Sequence, residues 1–291
     1  MKEIVFPSHF RISGLNSLLA KWENACSSPE REMLLDLSKV YYFTPFAACF
    51  LAALADELMT CGQLQHLKVS SPKRKSAANQ FDYLGLPKYL IGRDRKKSQM
   101  VPTVPLQWLT QPNYDLPFRL ANLVAESLSS ISKHNLYAIQ LGLKELLQNA
   151  FEHAESETGV YVCAGGIRTR RIVRICVLDR GIGIRRHLAR NPKYEKIAND
   201  EEAIRKCIKM DVSGDPDRLR GLGLYYLSRT VENADGEMWI ASGNALSKFA
   251  GRQFISSSPL QRSFSGTVVE VLFKATKQYR FKLDDHEEGP F

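Results

Sequence analysis

In the stretch KELLQNAFEHA, residues 144–154, the polar side chains Glu145, Asn149 and His153 recur at every fourth position. Around them Ile139, Leu143, Leu146, Leu147, Ala150 and Phe151 fall at helical spacing, so about 135–154 predicts a helix with a core-facing stripe. At about 100° per residue, positions four apart drift by about 40°, and the three polar residues make a row about 12 Å long beside that stripe. Such a row lines either a ligand cleft at the edge of the core or a solvated helix face. Spacing alone does not choose between them.

Two stretches further along the chain bear on the choice. In VLDRGIGIRRH, 177–187, a β-branched strand runs into Asp179, followed by Gly181 and Gly183 alternating with isoleucines. An aspartate at a strand end suits an exocyclic amine deep in a pocket, and glycines after it let backbone approach a planar ring; an ordinary Asp-Arg-Gly turn reads equally well from these residues alone. In RLRGLGLYYLSRT, 218–230, Gly221 and Gly223 precede an amphipathic segment. Free backbone N–H groups at a helix N-terminus suit phosphate, although a glycine-rich helix entry would look the same.

Taken in order, Glu-x-x-x-Asn-Ala-x-x-His at 145–153, Asp-x-Gly-x-Gly at 179–183 and Gly-x-Gly-Leu at 221–224 resemble the ATP-binding boxes of the GHKL superfamily, the histidine-kinase-like ATPases. Gly266-Thr267 before the strand VVEVLF extends the resemblance, which covers about 118–275. It implies a Bergerat-type α/β sandwich that binds Mg-ATP. Asn149 would coordinate Mg²⁺, and Glu145 would act as general base or position the attacking oxygen. Asp179 would bind the adenine amine with support from Thr267, and Gly181 and Gly183 would lie beneath the base. Gly221, Leu222, Gly223 and Leu224 would close a lid over the phosphates. That lid would span 185–220, with Asp211, Gly214, Asp215 and Arg218 or Arg220 in it. His153 matches the family position, where ligand contact and a packing role fit it equally. The Asn-Ala-x-x-His setting looks most like the anti-sigma-factor serine kinases.

Upstream, strand-like and helix-like stretches alternate, as in a layered α/β unit. MLLDLSKVYYF (33–43) has the content of a buried strand, about 45–60 that of an apolar helix ended by Cys61-Gly62, LQHLKVSS that of a second strand, and SAANQFDYLGL that of a short helix. Over about 1–95 this pattern resembles a STAS domain, the fold of anti-anti-sigma factors. The family's phosphoacceptor turn reads FTPFA here. Pro45 has no hydroxyl, and Thr44 fits only with a one-residue slip, so a docking or dimerisation role is expected rather than self-phosphorylation. A proline-rich linker is expected at 96–117, where Pro102, Pro105 and Pro112 interrupt any helix or central strand. The ATP-binding unit then runs over 118–278, opening with a helix at 118–135, and an acidic tail follows at 279–291. Within it GVYVCAGG (159–166) and RIVRICVLD (171–179) predict an antiparallel hairpin, 180–220 an irregular stretch, LGLYYLSRTVENA (222–234) a helix, and EMWIAS and TVVEVLF (267–273) two further strands.

The totals fit this α/β reading. The 291 residues suffice for two cores, and 44% hydrophobic with 24% charged residues is an ordinary soluble composition. The most apolar run, 43–59, meets Asp56 and Glu57 too early to span a membrane. Six cysteines without a CxxC pair read as reduced thiols in a cytoplasmic protein. The net charge of +9 comes from short scattered clusters not interleaved with aromatics, which leaves a nucleic-acid-associated ATPase as the weakest reading. The expected function is ATP hydrolysis or phosphorylation of a partner protein on Ser/Thr in a partner-switching pathway, with homodimerisation also open. The alternative is a non-catalytic, nucleotide-gated interaction switch.

Overall fold

The computed structural model describes residues 1–60, 64–92, 102–128, 131–152, 154–156, 158–167, 170–215 and 223–274. They form a mixed α/β protein with one parallel and one antiparallel main sheet. The first unit sets strands β1 (Lys2–Val5), β3 (Glu32–Asp36) and β5 (His66–Ser70) in parallel, in the order β1-β3-β5. Strands β2 (His9–Phe10) and β4 (Tyr42–Phe43) make a small parallel pair beside them. The stretch 33–43, expected as one strand, is therefore two. The Asp36 carboxylate accepts from the Ser38 amide (3.0 Å) and hydroxyl (2.9 Å), a local turn that competes with the ladder and stops β3. Helices α1 (Leu15–Cys26), α2 (Pro45–Thr60), α3 (Lys75–Tyr83) and α4 (Leu86–Ile91) complete the unit.

The second sheet has the order β6-β7-β8-β10-β9, with every neighbouring pair antiparallel. Its strands are β6 (Thr103–Leu109), β7 (Val160–Ile167), β8 (Ile172–Asp179), β9 (Glu237–Ala250) and β10 (Gln253–Lys274). The stretch read as a linker thus contributes a strand. β6 carries Pro105 and occupies the sheet edge, where a missing N–H costs no ladder bond. β9 and β10 extend far beyond EMWIAS and TVVEVLF, because the intervening Ser-rich sequence pairs across the hairpin although it has little apolar alternation. Helices α5 (Leu116–Leu128), α6 (Lys133–Glu152), α7 (Ile184–Leu188), α8 (Asp200–Cys207) and α9 (Gly223–Asn233) complete the chain. In place of the expected 118–135 helix, α5 ends at Leu128, and before α6 the Ser132 hydroxyl accepts from the Asn135 amide at 3.2 Å. The region expected to be irregular holds α7 and α8; α8 is capped by Asn199, whose side chain accepts from the Glu202 amide at 2.9 Å, and carries three acids in its first turn.

One face of the antiparallel sheet packs on α5, α6 and α9, with Leu143, Leu147, Val162, Ile175 and Val271 in one core. The other face packs on the first unit, where Tyr161, Cys163, Cys176 and Leu178 share a core with Met33, Leu35 and Phe50. Alternating residues of β7 and β8 therefore enter two different cores, and both faces are apolar. Helix α2 explains its own composition: twelve of its sixteen residues are buried, as a helix apolar all round must be. Its acids are tied off by neighbours. Asp56 accepts hydrogen bonds from Tyr89 (2.5 Å) and Tyr161 (2.6 Å), and Glu57 pairs with Arg180 at 2.6 Å. Among the described residues Cys26, Cys49, Cys163, Cys176 and Cys207 are not in disulfides.

The start of α2 lies against the antiparallel sheet. Thr44 is fully buried, and its hydroxyl caps the helix by accepting from the Ala47 amide at 3.4 Å. Buried Glu270 accepts from the Phe46 amide (3.4 Å) and from Arg174 (3.2 Å). Burial pushes the Glu270 carboxyl upward and the neighbouring guanidinium opposes it. A phosphate on Thr44 has no room, so incubation of the folded protein with labelled ATP is expected to leave no label on Thr44 by peptide mapping. A second packing test lies at the crossing of α6 and α9, where a Cβ on Gly142 would stand 3.1 Å from the Leu227 backbone. Gly142→Ala is expected to cost about 1–3 kcal/mol through overpacking, read by urea denaturation.

Candidate functional site

The strand register builds the floor of a cleft. Val160, Asp179, Thr267 and Ser242 stand side by side on β7, β8, β10 and β9. Asp179 ends its strand with a side chain only 4% exposed. One carboxylate oxygen accepts from the Gly181 amide at 2.9 Å and the Thr267 amide at 3.1 Å. Burial drives its pKa up to about 7, against the opposing pull of those two amides and the Arg180 charge. One oxygen is thus pinned by two amides while Asp179 lines the cleft.

The turn after Asp179 depends on its glycines. A Cβ on Gly181 would collide with the Ala154 carbonyl, which also accepts from the Ile182 amide at 2.7 Å. Gly183 has φ of 80°, in the left-handed region, and a Cβ there would strike the Ser242 hydroxyl. That hydroxyl donates to the Gly266 carbonyl and accepts from the Ile184 amide, both at 2.9 Å, so Ser242 ties β9 to the turns bearing Gly183 and Thr267.

Helix α6 forms the facing wall. Its stripe is buried as expected at Ile139, Leu143, Leu146, Leu147 and Ala150, while Phe151 is half-buried. Glu145 and Asn149 turn into the same cleft as Asp179, Gly183, Thr267 and Leu224, the second residue of α9. The space, counted to its open mouth, is about 990 Å³. Of the other expected residues, Gly181 forms the turn behind Asp179, and Gly223 is the first residue of α9. His153, Gly221 and Leu222, together with Arg218 and Arg220, lie outside the described residues.

Sequence reasoning missed Gln148, His187, Ser213 and Cys207, which also line the cleft, and Ser242 beneath it. Only Ser242 left any signal, as the polar residue ending the alternation of EMWIAS. His187 and Ser213 belong to the 185–220 stretch read as a lid, and arrive through α7 and the turn after α8. Among the described residues no three His, Cys, Asp or Glu side chains converge to hold a metal, and no helix is long and apolar enough to cross a membrane.

The chain matches no protein-family model, and no curated protein is significantly similar to it.

Proposed function

We propose that this cleft binds a magnesium–adenine nucleotide, and that the protein is a GHKL-type ATPase or protein serine/threonine kinase with a STAS-like first unit. The observation that carries this reading is the buried Asp179 carboxylate, pinned by the Gly181 and Thr267 amides and faced across one cleft by Glu145 and Asn149. The free oxygen of Asp179 accepts the adenine amine, and the Gly183 turn lies alongside the ring. Asn149 offers its amide oxygen to magnesium, which supplies charge neutralisation at the phosphates when bound. Glu145, one helical turn away on the same wall, would take the proton from an attacking water or partner hydroxyl as that oxygen bonds to the γ-phosphorus and the bond to the departing ADP breaks. A cytoplasmic role in partner switching belongs to the same reading.

A specific observation favours the nucleotide-gated switch as the second reading. The start of α2, where a STAS domain would carry its phosphoacceptor, is buried against the sheet and faces Glu270 rather than solvent. The first unit then acts as a fixed part of the protein and not as its own substrate. The scattered basic clusters are all that speaks for a nucleic-acid-associated ATPase.

Calorimetry with magnesium and ADP tests binding. Asn149→Ala is expected to weaken it by about 10- to 100-fold, the value of a hydrogen-bonded or coordinated charged partner. Labelled ATP then separates the readings: turnover lost in Glu145→Ala supports the enzyme, and binding with no turnover in the native protein supports the switch.

A further inference from the structure

Arg180, between the adenine-facing Asp179 and the Gly181 turn, points away from the cleft and into the first unit. Its guanidinium pairs with Glu57 of α2 at 2.6 Å, lies 4.6 Å from the centre of the Trp22 ring of α1, and donates to the Ser265 carbonyl at 3.4 Å. The Phe264 ring is 5.8 Å away on a further side. Both charged side chains are mostly buried, at 18% and 28% exposed, so the pair is better shielded than a surface ion pair. The Arg180 amide also donates to the Ser156 hydroxyl at 3.3 Å. The residue is thus clamped by α1, α2 and β10 while its peptide bond continues directly from Asp179.

We infer that Arg180 is a positioning residue through which the first unit sets the placement of Asp179, so that α1 and α2 govern adenine selectivity without touching the nucleotide. This rests on the nucleotide reading above. An arginine here serves better than a lysine would, because a planar guanidinium stacks on an indole while its edge meets a carboxylate. With the clamp intact, Asp179 faces the base at one fixed angle. Once the clamp is loosened, the turn relaxes, and the discrimination that depends on that angle relaxes with it.

The test compares ADP with inosine diphosphate, which has no exocyclic amine, by calorimetry in the full-length protein. Native protein is expected to prefer ADP. Arg180→Gln and the milder Glu57→Gln are expected to shrink that preference about tenfold, mostly by weakening ADP, with inosine diphosphate little changed. Arg180→Lys, which keeps the ion pair with Glu57, is expected to recover part of the preference. A general structural defect would weaken both nucleotides alike, and that result, or an unchanged preference in Glu57→Gln and Arg180→Gln, would overturn the inference. Native protein that binds neither nucleotide would instead remove the nucleotide reading, and this inference with it.

Discussion

Asp179→Asn is expected to weaken ADP binding by about 100-fold while making the unliganded protein more stable at pH 8. Both effects have one source. The folded state raises the Asp179 pKa from 3.8 to about 7 through burial. Between those values the folded protein holds a proton that the unfolded chain has released, so stability falls as pH rises through this window and levels off above it. Some three pKa units correspond to a loss on the order of 3–4 kcal/mol at pH 8 relative to pH 4. Asparagine keeps an oxygen to accept from Gly181 and Thr267 but carries no charge, so it removes that loss and should raise the melting temperature at pH 8 by several degrees. Its NH₂ would face the adenine amine donor to donor, and binding goes. By the same linkage, native affinity for ADP should fall as pH drops below about 7, because protonation removes the charge that strengthens acceptance from the adenine amine and adds an O–H donor facing it. Thermal melts at pH 5 and pH 8, paired with calorimetry, decide the matter. A variant that binds ADP normally would remove Asp179 from the site, and one whose stability change is equal at both pH values would remove its raised titration.

Phe50→Ala is expected to cost about 3–5 kcal/mol and to destabilise both sheets together. Phe50 is fully buried, with ring centroids 4.8 Å from Trp22, 5.6 Å from Phe46 and 5.8 Å from Phe10. It belongs to the core that joins Met33 and Leu35 of the parallel strands to Cys163 and Leu178 of the antiparallel sheet. A cavity there withdraws contacts from both units at once. Urea denaturation followed by hydrogen exchange of amides in β3 and in β8 should show the two sets losing protection over one shared transition. Loss of protection in β3 alone would mean that the units unfold independently.

What was legible from residue order was local. The stripe of α6 and the antiparallel β7–β8 pair follow from periodicity within a few residues, and both appear where that chemistry places them. Glu145, Asn149, Asp179 and Thr267, nominated by the resemblance of their motifs and not by spacing alone, line one cleft. The structure departs from that reading at local turns and caps, as after Asp36, and where pairing rather than periodicity makes the strand. β6 hides among prolines because only its place at a sheet edge tolerates them. The outer halves of β9 and β10 are Ser-rich and stabilised by each other.

Sequence by itself determined the most periodic elements, such as α6 and the β7–β8 pair, and the glycines that shape the turn after Asp179. The tertiary structure alone decided that α2 closes the back of the antiparallel sheet, that Thr44 is sealed beneath it, and that Arg180 is anchored by Trp22 and Glu57. The reason is physical: periodicity records whether a residue is buried, and burial against one's own unit leaves the same apolar pattern as burial against another.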